Sequence, residues 1–257
     1  MKSPIHLEEK VVLVTGGSRG IGEAIARACG QAGAKVAIAS RKLEGVSQAA
    51  ERLRKDGITV EPFACHTGKL SDVERLIKET VSAFGKIDCL VNNAATNPYF
   101  GPMMAVDDGA FDKTFEVNVK GYFYVAREVA RHLINRDSPG AIINIASIQG
   151  LGGAPLQGVY AMTKAAVISM TKTLAVELAP SKIRVNAIAP GLVDTRFSAA
   201  LLTNKDIVER VVARTPQARY AEPHEIGGAA VYLASDSASF VTGETLVVDG
   251  GLTINSV

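Results

Sequence analysis

The stretch VVLVTGGSRGIG, residues 11–22, decides the fold class of this chain. Its first five residues form a β-branched apolar run, which is typical of a buried parallel strand. A glycine-rich turn follows, and apolar residues then recur at helical spacing from Ile21 to Cys29. Strand, turn and helix make the first half of a βαβ unit, so the chain is expected to build a parallel sheet.

Short apolar runs alternate with helical patterns along the rest of the chain. Further strands are predicted at 35–39, 59–63, 88–92, 141–146, 183–188 and 245–249. The alternation predicts one doubly wound α/β domain over 1–257, with helices on both faces of the sheet. The sequence SDVE at 71–74 matches a capping box, which predicts a helix N-terminus there.

Composition excludes several classes of protein. The chain has 257 residues, is 47% hydrophobic and carries a net charge of +2. No basic tail or polybasic run suggests nucleic acid or a membrane surface, and no apolar run is long enough to span a bilayer. Cys29, Cys65 and Cys89 are odd in number and widely separated, which fits neither a disulfide framework nor a metal site. With no signal peptide in 1–10 and no peroxisomal address at the C-terminus, a cytoplasmic protein is expected.

The pair Tyr160 and Lys164 is the strongest candidate for chemistry. In a helix the two side chains lie one turn apart on the same face. A neighbouring ammonium favours the phenolate, so Lys164 is expected to lower the pKa of Tyr160 towards the range useful for acid–base catalysis. The alternative is an ordinary surface pair on a helix.

The helix predicted from 159 to 178 is apolar on nearly every side. A helix of this kind is buried all round. One face can pack on the sheet, and the other is predicted to form a subunit interface in a homo-oligomer. The alternative cover is the segment 194–214 of the same chain.

The glycines of the first turn predict a phosphate site. Gly16, Gly20 and Gly22 precede or open a helix, whose N-terminus offers free N–H groups and partial positive charge. A tight turn without a ligand is the alternative, and Glu23 excludes a P-loop, which needs lysine there. No acidic residue closes the second strand at 39–42, where NAD-specific sites have one, so Arg41 and Arg19 are predicted to bind the 2′-phosphate of NADP. A solvated basic turn is the other interpretation.

A second class of function also matches the first turn. Residues 16–20 fit G-x-S-x-G, the nucleophile elbow of serine hydrolases, and a triad of Ser18, Asp194 and His224 has the right order. The elbow would then lie on the first strand, without the upstream strands that supply the oxyanion loop. A dinucleotide-binding scaffold without chemistry is a third hypothesis.

Taken together, the motifs resemble those of the short-chain dehydrogenase/reductase family in its single-domain form, over nearly the whole chain. The matching pieces are T-G-x-x-x-G-x-G at 15–22, NNAA at 92–95, Asn118, Ser147, Tyr160-x-x-x-Lys164, PG at 190–191 and VDGG at 248–251.

This resemblance implies a seven-stranded Rossmann-type sheet, usually in a homotetramer, and hydride transfer between NAD(P) and an alcohol or carbonyl. Tyr160 would be the acid–base residue, Lys164 would lower its pKa and bind the nicotinamide ribose, Ser147 would hold the substrate oxygen, and Asn118 would anchor a water that relays protons to Lys164. The cofactor would be lined by Gly16, Ser18, Arg19, Gly20, Ile21, Gly22, Ser40, Arg41, His66, Thr67, Asn93, Ala94, Tyr160, Lys164, Pro190, Gly191, Val193 and Thr195.

Two segments depart from the common pattern of the family, and the first is NNAA at 92–95, where a final glycine is commoner. Cys65-His66-Thr67 stands where many members have an aspartate near the adenine, so His66 is predicted to stack or hydrogen-bond there, with a core or surface histidine as the alternative. Together with NPYFG at 97–101, this segment looks similar to the NADPH-dependent carbonyl and retinol reductase branch.

The substrate walls are predicted at 97–104, 150–158 and 194–214. Their large residues are mostly apolar, which suits lipophilic ketones, aldehydes or 3-oxoacyl thioesters. They are Pro98, Tyr99, Phe100, Met103, Met104, Leu151, Leu156, Phe197, Leu201 and Leu202. Lys205, Arg210 and Arg214 either steer an anionic carrier or form a solvated helix face.

Overall fold

The sheet is parallel throughout, as seen in a computed structural model that describes residues 5–255. Its order is β3-β2-β1-β4-β5-β6-β7. The strands are β1 Val11–Thr15, β2 Lys35–Ser40, β3 Val60–Ala64, β4 Cys89–Asn92, β5 Gly140–Ile145, β6 Ile183–Pro190 and β7 Thr245–Val248. The predicted seven strands and the Rossmann-type fold class are confirmed. The predictions about a signal peptide and a peroxisomal address fall partly on residues 1–4 and 256–257, which lie outside the described residues.

Helices cover both faces of this sheet. Val12 and Val14 of β1 pack towards α1, α2 and α9, whereas Leu13 points to the opposite face, against α3 and α5, because side chains alternate along a strand. The helices are α1 Gly20–Gln31, α2 Leu43–Lys55, α3 Leu70–Phe84, α4 Asp108–Phe115, α5 Gly121–Asn135, α6 Gly158–Leu178, α7 Ala199–Leu202, α8 Lys205–Arg214 and α9 His224–Ala234. A π-helical turn, Glu116–Lys120, joins α4 to α5. None of the helices in the described chain is both long and apolar enough to cross a membrane.

The order of the strands fixes where a ligand can bind. From β1 the chain moves outward to β2 and β3, then returns to β4 on the other side of β1. The loops that follow β1 and β4 therefore diverge and leave a crevice at the carboxyl edge of the sheet. Open α/β sheets bind their ligands at this switch point.

The capping box predicted at 71–74 is wrong. Helix α3 begins at Leu70 with Lys69 as its N-cap residue, and no side chain caps it. The Asp72 carboxylate accepts the backbone N–H of His66 at 3.0 Å instead. The short turn after β3 starts the helix before Ser71, and this tertiary constraint overrides the local pattern.

Helix α6 is buried on only part of its circumference. Val159, Tyr160 and Val167 are buried. Met162 is 40% exposed and Val176 is 77% exposed. These two residues share a face with Ala165 and Ser169, which are also exposed. The segment 194–214 therefore does not cover this face within the single chain.

Candidate active site

A cavity of about 570 Å³ opens at the switch point. Its walls come from the loops after β1, β2, β4, β5 and β6, the start of α6, and the α7–α8 segment. All the residues predicted for the cofactor and for catalysis line this cavity, with the single exception of Asn118.

The glycine loop is shaped for close approach of a ligand. Gly16 has φ +68° and Gly20 has φ +57°, in the left-handed region that other residues rarely adopt. A Cβ on Gly22 would lie 2.3 Å from the Gly16 carbonyl oxygen, so the loop and helix α1 can pack this tightly only with glycine. Helix α1 has no side-chain cap, and its first N–H groups face the cavity end of the loop. The loop therefore fits the pyrophosphate of a dinucleotide.

Asn93 ties the glycine loop to β4. Its Nδ2 donates to the carbonyl oxygens of Thr15 at 3.0 Å and Gly16 at 3.2 Å. The Thr15 hydroxyl in turn accepts the backbone N–H groups of Asn93 and Ala94. The amide is thus a structural brace between the two loops that border the crevice.

The end of β2 is basic. Ser40 is the last residue of the strand, and Arg41 follows it; Arg41 and Arg19 both line the cavity with exposed side chains. Neither guanidinium forms a salt bridge with a carboxylate anywhere in residues 5–255. The negative charge of Glu23 nearby is taken up by Arg52, with oxygens at 2.8 and 2.7 Å. Two cations remain available to a phosphate at this end of the cavity.

Two hydroxyls meet at the centre of the cavity. Ser147 follows β5 in extended conformation and caps a short 3₁₀ turn, so it lies two residues beyond the strand rather than in it. Tyr160 lies in the first turn of α6, and its phenol and the Ser147 hydroxyl both line the cavity as neighbours. The Phe197 ring covers the Tyr160 ring at a centroid distance of 5.6 Å. The pair can hold a carbonyl oxygen and deliver a proton to it.

Lys164 is expected to lower the pKa of Tyr160, but in the structure this pKa is raised. Burial raises the pKa of the Tyr160 phenol, because the phenolate would lose its hydration; the neighbouring Ser147 hydroxyl only partly offsets this. Burial also lowers the pKa of Lys164 to about 7. The lysine lies with Nζ 5.6 Å from the Tyr160 ring centroid. Desolvation thus outweighs the charge of the lysine, which the sequence pattern could not show.

Tyr122 is a functional neighbour that the sequence did not reveal. Lys164 Nζ donates to the Ile145 carbonyl oxygen at 2.6 Å and to the Tyr122 hydroxyl at 3.2 Å. The Tyr122 hydroxyl donates to the same carbonyl at 2.9 Å. Tyr122 lies on α5. The apolar residues of this helix recur at helical spacing, so the sequence alone indicates that Tyr122 is an ordinary core residue. Only the packing of α5 against β5 brings it to the lysine.

Asn118 is fully buried in the π-helical turn and does not line the cavity. Its Nδ2 donates to the Thr96 carbonyl oxygen at 2.9 Å and to the Thr163 hydroxyl at 3.1 Å, and its Oδ1 accepts the Thr96 N–H at 2.8 Å. Both amide protons are therefore committed within the protein. The side chain joins the loop after β4 to α6, next to Lys164.

His66 belongs to a charged cluster at the same end of the cavity as Arg41. Its Nε2 lies 3.0 Å from Lys113 Nζ, and Lys113 also binds Glu116 at 2.7 Å. Burial, followed by the charge of Lys113, lowers the pKa of His66. With the ammonium donating to Nε2, the neutral ring carries its proton on Nδ1.

Some of the residues predicted for the substrate walls line the cavity, and others do not. Phe100, Leu156, Phe197 and Leu201 line the cavity, whereas Met104 is 97% exposed and faces away. The other predicted wall residues, Pro98, Tyr99, Met103, Leu151 and Leu202, do not line it. Gln149, Gln157, Arg196, Ile207 and Val211 line it without having been singled out as wall residues. The helical spacing of Ile207 and Val211 was a signal that could have identified them.

The proposed hydrolase triad does not assemble. Ser18 lines the cavity, but Asp194 and His224 do not, and no hydrogen bond joins any two of the three in the part of the chain that the structure describes. Among residues 5–255, no group of His, Cys, Asp and Glu side chains is placed to hold a metal ion.

Comparison with known proteins finds relatives that match nearly the whole chain. A family model described as enoyl-(acyl carrier protein) reductase matches residues 16–253. Dehydrogenase/reductase SDR family member 4 of Homo sapiens is 42% identical over 245 residues, which cover 95% of this chain and 88% of that protein. Short-chain dehydrogenase/reductase SDRA of Arabidopsis thaliana is 38% identical, with coverage of 98% and 97%. A gluconate 5-dehydrogenase from Burkholderia cenocepacia, solved with NADP and tartrate, superposes with a TM-score of 0.93 at 37% identity, covering 98% of each chain.

Proposed function

This chain belongs to the short-chain dehydrogenase/reductase family, and from that premise we propose that it uses NADPH to reduce apolar ketones and aldehydes, or 3-oxoacyl thioesters. Membership of the family makes the chain an oxidoreductase that binds a nicotinamide dinucleotide and acts on a small molecule. The observation that carries the finer proposal is the Ser147–Tyr160 hydroxyl pair, set in a cavity with a basic, carboxylate-free end at Arg41 and apolar walls.

The proposed mechanism follows from the protonation of the two hydroxyls. Ser147 holds the carbonyl oxygen of the substrate, and Tyr160 gives that oxygen a proton. The phenol is protonated at neutral pH, as the acid of a reduction must be, although its raised pKa makes it a weaker acid than a free tyrosine. A bound nicotinamide supplies the hydride. Lys164 holds the Ile145 carbonyl and the Tyr122 hydroxyl in place below the pair.

The dinucleotide is proposed to lie along the carboxyl edge of the sheet. The N–H groups at the start of α1 would hold the pyrophosphate, and Arg19 and Arg41 would hold the 2′-phosphate. Pro190, Gly191, Val193 and Thr195, in the loop after β6, would border the nicotinamide end. The segment 194–214 is proposed to cover the substrate, because Phe197 and Leu201 line the cavity beside Tyr160.

A cofactor-consumption screen tests the function. Purified protein with NADPH and a panel of apolar ketones, dicarbonyls and 3-oxoacyl thioesters is expected to oxidise the cofactor with at least one of them. Tyr160→Phe is expected to lower kcat/KM at least about a hundredfold, because the acid is lost. Tyr220→Phe, a tyrosine outside the cavity, is the matched control. Full activity in Tyr160→Phe, or no turnover with any member of the panel, would refute the proposal.

A further inference from the structure

Cations line the cavity at more than one place, and no carboxylate among residues 5–255 lines it. Five cationic side chains line it: Arg19, Arg41, Lys164, Arg196 and Arg210. Among its described lining residues there is no aspartate or glutamate. The whole chain has a net charge of only +2, so the charge is concentrated here. A cleft lined by one sign of charge attracts ligands of the opposite sign.

Three of the five cations already have a task. Arg19 and Arg41 lie at the end proposed for the 2′-phosphate, and Lys164 is only 1% exposed and bound to a backbone carbonyl. Arg196 and Arg210 remain. Both are exposed, and in the described chain neither forms a salt bridge or a hydrogen bond.

Arg210 belongs to a segment that follows a strand remote from β2. Arg41 follows β2, whereas Arg210 belongs to the segment that follows β6, and four strand spacings separate β2 from β6 in the sheet. At roughly 4.8 Å per spacing, these two strands are about 19 Å apart. The segment after β6 instead reaches the catalytic hydroxyls, because its Phe197 ring packs on the Tyr160 ring.

Helix α8 presents to the cavity a face that carries both apolar and charged side chains. Ile207, Arg210 and Val211 line it at i, i+3 and i+4, whereas Lys205 on the same helix does not. The two apolar residues are partly buried, and Arg210 is exposed at the mouth. A substrate lying between Tyr160 and this face would therefore have an apolar body and meet a guanidinium at its far end.

We propose that the substrate is an apolar carbonyl compound with an anionic group at the end remote from the carbonyl, and that Arg210 binds this group and selects for it. Arg196 also lines the cavity, but it follows Thr195, whose side chain lies against Gly20 of the glycine loop. The proposal therefore rests on Arg210 alone. The inference rests on the reductase function proposed above. A guanidinium recognises carboxylate and phosphate alike through paired N–H groups, so the anion is either a carboxylate of the substrate or the phosphate of a thioester carrier.

Matched substrate pairs test the inference. A benzoylalkanoate is compared with its methyl ester, and acetoacetyl phosphopantetheine with acetoacetyl pantetheine. In the parent protein the charged member of one pair is expected to have a kcat/KM about tenfold higher than that of its neutral partner. A factor of this size is expected because one charge-assisted hydrogen bond contributes to binding of the charged substrate alone. The pair that responds identifies the anion as carboxylate or phosphate.

Variants assign the preference to its residue. Arg210→Gln is expected to bring the charged-to-neutral ratio close to one, and Arg210→Lys to retain part of it. Lys205→Gln removes the same charge from the same helix outside the cavity and is expected to leave the ratio at the parent value. A ratio unaffected by Arg210→Gln overturns the inference. So does a ratio near one for both pairs in the parent, while turnover of the neutral ketone still upholds the reductase function.

Binding measurements separate the remaining outcomes. If neither pair turns over, calorimetric dissociation constants for the benzoylalkanoate and its ester decide the inference, and the wider cofactor-consumption panel decides the reductase function separately. Tighter binding of the acid, lost in Arg210→Gln, supports it, and equal binding overturns it. If Arg210→Gln instead weakens NADPH binding and leaves the ratios intact, Arg210 serves the dinucleotide and the inference is wrong.

Discussion

At the scale of single residues, Lys164 shows how burial sets chemistry. Its side chain is 1% exposed, and its two hydrogen-bond partners, the Ile145 carbonyl and the Tyr122 hydroxyl, are neutral. No carboxylate among the described residues pairs with it. An ammonium in such a place has lost its hydration without gaining a counter-charge, so its pKa falls to about 7.

This lowered pKa predicts a pH-dependent cost to stability. The unfolded lysine titrates near ~10.4. The buried lysine therefore lowers the free energy of unfolding by its full amount below about pH 7, and this penalty fades as pH rises from 7 towards ~10.4. Lys164→Met is therefore expected to raise the stability of the protein without cofactor, by about 3 kcal/mol more at pH 6 than at pH 9.5. The Ile145 carbonyl keeps Tyr122 as a donor in the variant.

Urea unfolding of both proteins at the two pH values measures this difference. Titrations elsewhere in the chain cancel when each variant is compared with the parent at the same pH. Exposed Lys172→Met on the same helix serves as the control and is expected to show no such pH dependence. An equal stability change at both pH values would contradict a depressed lysine pKa.

Cofactor choice is also decided by single residues. Arg41→Ala is expected to raise the dissociation constant for NADPH about tenfold or more, because a guanidinium–phosphate contact is lost, and to leave NADH nearly unaffected. The neighbouring Lys42→Ala lies outside the cavity and is the matched control. Fluorescence titration of the parent and the two variants with both cofactors gives six dissociation constants. Equal losses for NADPH and NADH would overturn the NADP assignment.

At the scale of elements, helices α1 and α9 meet through glycine. A Cβ on Gly227 would lie 2.7 Å from the Cβ of Ala28, whereas the adjacent Gly228 has nothing within 4 Å. Gly227→Ala is expected to destabilise the protein by about 1–3 kcal/mol through overpacking. Gly228→Ala is expected to stabilise it by about 0.5–1 kcal/mol, since alanine favours the helix. Denaturant midpoints check both, and similar shifts in the two variants would argue against this close helix contact.

At the scale of the whole molecule, the outer face of α6 remains uncovered. The apolar side chains of Met162 and Val176 are exposed there, together with Ala165 and the polar residues Ser169, Lys172 and Thr173. We propose that this face forms the interface of a homo-oligomer. Val176→Glu is expected to shift the protein towards the 27.0 kDa mass of one chain in light scattering. Leu43→Glu places the same charge at another exposed leucine and is the control. A monomeric parent would refute the proposed interface.

The sequence by itself determined the seven strands, their alternation with helices and the glycine loop, because these depend on local periodicity and on backbone conformations that few residues adopt. The resemblance of its motifs to a known family also supplied the cavity-lining residues proposed for the cofactor, and these residues meet because the ends of parallel strands lie at one edge of the sheet. The tertiary structure decided the rest. The partners of Lys164, the raised pKa of Tyr160, the enclosed amide of Asn118 and the start of α3 all depend on which elements pack together, and desolvation is a property of that packing rather than of any sequence pattern.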